Sequence, residues 1–277
     1  MDFWVLPAFT LLGILLGTFG TIIGAGGGFL LVPVLLLLGW PHQEAAGTSL
    51  FMVTANAASG SLSYLRQKRV DLASAWRFGL ATVPGAILGP QLAAQISNQA
   101  FNIVFGMLLI ALAVYLFARP EKRLAAAVPG EHPPRAPGPR GWGWTVRDFV
   151  DSRGRHWIYA YPQFWALVLS FGVGFMSSVF GIGGGIIHVP ALTNLFNFPA
   201  HIATATSHFT LMISAATGTV GYLANGVVRL PQGIALAIGA IIGAQIGGAV
   251  SNRVNGKWIA RGLAIALTVA GVRLLLG

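Results

Sequence analysis

The sequence predicts an all-α integral membrane protein made of two homologous, inverted repeats, each a glycine-broken helical hairpin followed by three transmembrane helices. Three observations predict it. The 277 residues are 55% hydrophobic and only 9% charged, whereas a soluble chain carries roughly 25% charged residues; so few charges cannot cover a water-facing surface. Apolar runs such as 101–118 and 233–250 contain no Lys, Arg, Asp or Glu, and about 20 apolar residues suffice to cross a bilayer as a helix. Finally, the two halves repeat one another in four ordered blocks.

The blocks align as follows. GAGGGFLLVP at 24–33 matches GIGGGIIHVP at 181–190, an offset of 157 residues (181 minus 24). WPHQEAAGTSLF at 40–51 matches FPAHIATATSHF at 198–209, AASGSLSYL at 57–65 matches AATGTVGYL at 215–223, and GAILGPQLAAQIS at 85–97 matches GAIIGAQIGGAVS at 239–251. Shared Gly, Pro, Thr-Ser and Gln positions in a common order indicate duplication. The chain divides into a first membrane repeat, 1–118, a basic Pro/Gly-rich connector, 119–158, and a second membrane repeat, 159–277.

Within each half the elements follow in order. The first segment (5–38; 162–196) is interrupted at the glycine cluster. Glycine weakens a helix and permits left-handed turns, so the cluster is read as the tip of a hairpin; at about 1.5 Å per residue each arm covers about half to two-thirds of the bilayer. A second helix starts at Thr-Ser (47–65; 204–224), a third contains the GxxxG spacing (77–94; 231–250), and a fourth closes the half (101–118; 258–276). Gly85 with Gly89 and Gly239 with Gly243 are read as close helix packing.

Charge sets orientation. Arg66, Lys68, Arg69 and Arg77 flank the second and third helices of the first half, and the loop after its third helix has no basic residue; the second half reverses this, with only Arg229 in the former position and Arg253, Lys257 and Arg261 in the latter. Cytoplasmic loops collect Lys and Arg, which inverts the halves and places the 66–77 loop, the connector and the 251–257 loop in the cytoplasm. The net charge of +10 therefore reads as an orientation signal, and no nucleic-acid partner is expected. There are no cysteines, which excludes thiolate metal sites and Cys nucleophiles.

The paired motifs GAGGGFLLVP and GIGGGIIHVP, each followed by a Thr-Ser helix, resemble the TauE/SafE sulfite exporter family, over everything but the connector. That resemblance implies a multi-pass protein of the cell inner membrane that exports sulfite, organosulfonates such as sulfoacetate or similar small sulfur-containing anions. The reading is a secondary transporter with export coupled to protons; the alternative is an anion channel or uniporter. The partners expected are the small anionic substrate and the lipid bilayer, with a homodimer as the assembly considered.

The residues bear on the site directly. Inverted repeats bring two broken-helix tips together at the midplane, where helix N-termini favour anions. Gly24, Gly26, Gly27 and Gly28 form one tip, and Gly181, Gly183, Gly184 and Gly185 the other; tight packing through small residues is the competing account. GAGGG lacks the strand, the third glycine and the GK[ST] of a nucleotide site. Thr48, Ser49, Thr206 and Ser207 are either helix caps or anion donors, and Asn56, Gln91 and Gln245 either join helices or touch ligand. His188 and His208 have Leu31 and Leu50 as counterparts and are the proton-coupling candidates, since imidazole titrates near neutral pH. Glu44 is placed in a loop, and no carboxylate is expected to be buried. No metal, cofactor or catalytic constellation is read, and the chain is not expected to be an enzyme.

Overall fold

The computed structural model describes residues 5–118, 143–152, 154, 156–251 and 256–276. Most of the connector, the N-terminal four residues and the 252–255 loop, with Arg253, lie outside them, as do the side chains of Lys257 and Arg261. Each broken first segment is two helices: α1 (Val5–Ile23) and α2 (Gly28–Leu37) in the first half, α6 (Gln163–Phe180) and α7 (Gly185–Leu195) in the second. Then come α3 (His42–Arg66), α4 (Leu72–Ala93) and α5 (Asn98–Ala118), with counterparts α8 (Ala200–Ala224), α9 (Leu230–Val250) and α10 (Gly256–Leu276). Among the described residues α1, α6 and α9, and Asn98–Tyr115 of α5, are long and apolar enough to cross a membrane.

The helices sort into two matching bundles, with α5 packed on α10. In one, α1, α3 and α9 pack together; in the other, α6, α8 and α4 do so. Each bundle therefore takes two helices from one half and one from the other. Small residues allow this. A Cβ on Gly247 would sit 2.5 Å from the Thr18 carbonyl oxygen, and one on Gly85 would sit 2.5 Å from that of Phe171, so α9 lies against α1, and α4 against α6, at backbone contact. The GxxxG spacing thus acts as a packing device. The bundles meet where α3 crosses α8: Thr54 Oγ1 lies 2.9 Å from Thr219 Oγ1.

Four expectations change. The second helices begin at His42 and Ala200, behind the N-caps Pro41 and Pro199, because proline pre-sets the chain before the first turn and disfavours helix at the residue preceding it. Thr48-Ser49 and Thr206-Ser207 consequently lie inside their helices rather than at the start. Glu44 is in the first turn of α3, paired with Arg229. Asp71 and Asp151 are buried, at 2% and 5% exposure. And the described residues are not all helical: β1 (Trp144–Val150) pairs antiparallel with β2 (His156–Pro162), so the boundary read at 158 falls inside a strand that runs straight into α6. In β2, Tyr159 and Tyr161 pack with Phe78 and Phe198, with Ala160 between them buried as well.

Candidate functional site

The glycine clusters turn the chain back on itself. Gly24, Gly26 and Gly27 have φ of 81°, 76° and 81°, and Gly181 and Gly183 have φ of 68° and 65°, a region closed to most side chains. Gly27 has returned level with Leu16, whose carbonyl oxygen lies 2.5 Å from where its Cβ would be. The arms α2 and α7 start at the tips, so each directs the positive end of its helix dipole towards the middle of the molecule; several of the N–H groups there are satisfied locally, Gly184 by Ser177 Oγ (2.7 Å) and Leu30 by the Gly27 carbonyl (3.2 Å). At 10 and 11 residues they span only about 15 Å.

The tips meet reciprocally. A Cβ on Gly28 would lie 2.6 Å from the Gly181 carbonyl oxygen, and a Cβ on the equivalent Gly185 would overlap the Gly24 carbonyl oxygen and lie 2.7 Å from Ala25 Cα. The surrounding hydrogen bonds repeat as well. Tyr64 Oη donates to the Thr21 carbonyl (2.6 Å) and Tyr222 Oη to that of Ser178 (3.0 Å). The Arg229 N–H donates to Thr48 Oγ1 (3.1 Å), as the Asp71 N–H donates to Thr206 Oγ1 (3.1 Å). The threonines thus secure the starts of α9 and α4, which is capping, but of a neighbouring helix.

The serines and histidine break the symmetry. Ser49 Oγ donates to the Gly181 carbonyl at 2.7 Å. Its counterpart Ser207 is fully buried, and its hydroxyl has no hydrogen-bond partner. Thr204 and Leu211, on the same face of α8, touch Gly24 and Gly26 respectively, so the helical spacing turns Ser207 to the tips. His208 is fully buried too, and neither ring nitrogen makes a hydrogen bond of ordinary geometry. Its ring stands edge-on to Tyr64, and the backbone carbonyls of Asn56 and Gly24 face it. A buried polar group without a partner costs about 1–3 kcal/mol, and two at one spot, beside helix N-termini, describe a place where a polar guest would be stabilised.

The remaining candidates are dispersed. Asn56 donates to the carbonyls of Gly17 (3.0 Å) and Ala240 (3.2 Å) and accepts from Thr21 Oγ1 (3.2 Å), joining α3 to α1 and α9. His188 lies 3.3 Å from Ser170 Oγ and edge-on to Phe78, between α6, α7 and α4. Gln245 is exposed and donates to Ser59, and Gln91 is exposed on α4; neither joins the tips. Tyr64, Tyr222 and Thr21 support the tips and were not singled out from the sequence, although the two tyrosines close the aligned blocks at 57–65 and 215–223.

A bundle of apolar helices with two half-length arms meeting tip to tip is the architecture of a membrane transporter. The chain belongs to the sulfite exporter TauE/SafE family, whose model matches residues 9–274. It is 31% identical over 272 residues to the probable membrane transporter protein YunE of Bacillus subtilis, covering 95% of each chain. It is 27% identical to the probable membrane transporter protein ORF9 of a Sinorhizobium species, over 98% of this chain and 92% of that one, and 24% identical to the probable membrane transporter protein YfcA of Escherichia coli, over 91% and 83%. No solved structure matches the chain significantly. The protein is a membrane transporter of this family and not an enzyme.

Proposed function

We propose that the protein is a secondary transporter that exports small sulfur-containing oxyanions or organosulfonates, such as sulfite or sulfoacetate, across the inner membrane with its transport coupled to protons, and that its halves are inverted. One observation carries the binding site: Ser207 is buried without a hydrogen-bond partner, and His208 without one of ordinary geometry, beside tips that present helix N-termini. A hydroxyl and an imidazolium are both donors, and helix N-termini carry partial positive charge, which suits an anion and disfavours a cation. Contact between the tips supports a transporter that occludes its substrate over a channel. The family description supports the sulfur anion.

Inversion is supported by the crossing of α3 and α8. Gly47 lies by Tyr222, Thr54 by Thr219 and Gly60 by His208, so numbers rise along one helix as they fall along its equivalent. Arg66, Lys68, Arg69 and Arg147 gather at the end where α3 stops and α4 starts, and Arg229 and Glu44 lie at the other. The basic end is then cytoplasmic and both termini are outside. Single cysteines placed at residues 2 and 277 are expected to react with an impermeant thiol reagent in intact cells; labelling only after permeabilisation overturns the inverted arrangement.

Substrate is tested by thermal unfolding of purified protein with sulfite, sulfate, thiosulfate, sulfoacetate, taurine or lactate, since a ligand that binds only the folded state raises Tm. Sulfite or sulfoacetate is expected to give the largest shift at low pH, where His208 carries a proton, with affinity falling as pH rises and the imidazole loses it. His208→Gln keeps a donor but cannot titrate, so its binding should be weaker and flat with pH. No shift from any sulfur anion removes the substrate assignment, and an unchanged pH profile in His208→Gln removes that histidine from coupling.

A further inference from the structure

The β1–β2 hairpin has a body and a tip that rest on different bundles. The body belongs to the α4–α6–α8 bundle. β2 continues into α6 at Pro162, Tyr159 and Tyr161 pack with Phe78 of α4 and Phe198 before α8, and Arg147 of β1 clasps the α4 N-cap, Asp71, through Nε at 3.0 and 2.9 Å and through its terminal nitrogen at 2.7 Å. The tip reaches the other bundle: the Ser152 N–H donates to the carbonyl of Gln67, just past the end of α3, at 3.3 Å. Close by, Arg69 spans the same junction, donating to Ser251 after α9 (3.3 Å) and to His201 at the start of α8 (3.1 and 3.3 Å).

The opposite end of the molecule is built otherwise. By the repeat, Gln67 and Arg69 correspond to Asn225 and Val227, and valine has no donor. There Arg229 pairs with Glu44 and lies 4.0 Å from the Trp40 ring centroid, contacts inside the α1–α3–α9 bundle alone. At that end the bundles are joined instead by His42 of α3, whose Nε2 lies 2.8 Å from the Ala93 carbonyl at the end of α4, and among the described residues no strand pair crosses there. Two bundles related by a repeat are the parts that rock in alternating access, so the two ends differ in what each must break to open.

We propose that the β1–β2 hairpin is a strap: anchored on one bundle, it crosses to α3, holds the basic end of the transporter shut, and must let go for that end to open. At its tip the Ser152–Gln67 backbone hydrogen bond is worth about 0.5–1.5 kcal/mol, a contact that can break in each cycle, whereas its body is held by a buried carboxylate fork and two tyrosines. The strap does not depend on which anion is carried.

The test is to fasten the tip. Residues joined by a backbone hydrogen bond have Cα atoms about 5–6 Å apart, within reach of a disulfide, and the chain has no native cysteine. Gln67→Cys with Ser152→Cys is oxidised in the full-length protein in lipid. Loss of both free thiols is expected, then at least tenfold slower amide hydrogen exchange over residues 61–66 and 203–209 than in the reduced protein, reversed by dithiothreitol and absent from each single variant. Sulfite efflux from proteoliposomes should fall at least tenfold on oxidation and recover on reduction. Failure of the disulfide to form, or equal exchange in the oxidised and reduced forms, overturns the strap. A protein that carries no sulfite even when reduced speaks against the substrate alone, and the exchange rates still decide the strap.

Discussion

Gly185→Ala is expected to abolish most transport while the protein still folds. Its φ is not in the left-handed region, so alanine suits the backbone, but the added methyl would overlap the Gly24 carbonyl oxygen and press on Ala25. Only movement of one tip away from the other relieves this, because backbone atoms cannot rotate aside. Overpacking of this kind costs about 1–3 kcal/mol, a fall in Tm of a few degrees at about 2–4 °C per kcal/mol. Flux of the sulfur anion should drop at least about tenfold, the factor that about 1.4 kcal/mol of lost affinity produces. Gly172→Ala is the control: nothing lies within 4 Å of its Cβ position, and flux and Tm should hold. Gly27→Val would answer a different question, since its φ of 81° and the nearby Leu16 carbonyl make it a test of the hairpin turn itself. Wild-type flux from folded Gly185→Ala protein would show that the tips pack helices and do not handle substrate.

Asp71→Ala should give the largest loss of stability. The carboxylate accepts from Arg147, from Tyr159 Oη (2.7 Å) and from Ser74, and it caps α4 by accepting from the Ser74 N–H. Removing it takes one acceptor from the Tyr159 hydroxyl and leaves a partly buried guanidinium without its carboxylate. Breaking a buried pair costs about 3–5 kcal/mol; Arg147 keeps 25% of its side-chain surface in solvent, so the lower end applies and Tm should fall by about 6–12 °C. The pH dependence has a definite sign. Burial alone would raise the Asp71 pKa, but the donors from Arg147, Ser74 and Tyr159 outweigh it and hold the group below the usual carboxylate range. The stabilisation is therefore fully present above pH about 4, where an unfolded Asp is ionised, and is lost as pH falls through the lower folded value. Melting curves of wild type and variant should converge in acid. A difference under about 1 °C at neutral pH would mean the hairpin adds nothing to the fold.

Histidine 208 and serine 207 illustrate how far a linear reading reaches. Their candidacy was legible because they sit beside Thr206 in a duplicated block, and the duplication also marked both glycine tips, the helix order and the GxxxG faces. These features are local: a glycine break, an apolar run or a small-residue spacing acts on its own backbone or on one neighbouring helix. Which polar groups end up unsatisfied is not local. Asn56 and Ser207 read alike in the sequence, yet Asn56 bonds to Gly17 and Ala240, the latter 184 residues away, while Ser207 is left without a partner. Asp71 looked like a loop residue because its burial depends on Arg147, 76 residues later in a connector without apolar runs. Composition and repetition alone are enough to define the class of protein and the position of its broken helices. Which donors face the tips, which carboxylate is buried and what the β1–β2 hairpin joins emerge from the folded chain, because each depends on a partner that folding, and not spacing, brings within hydrogen-bond reach.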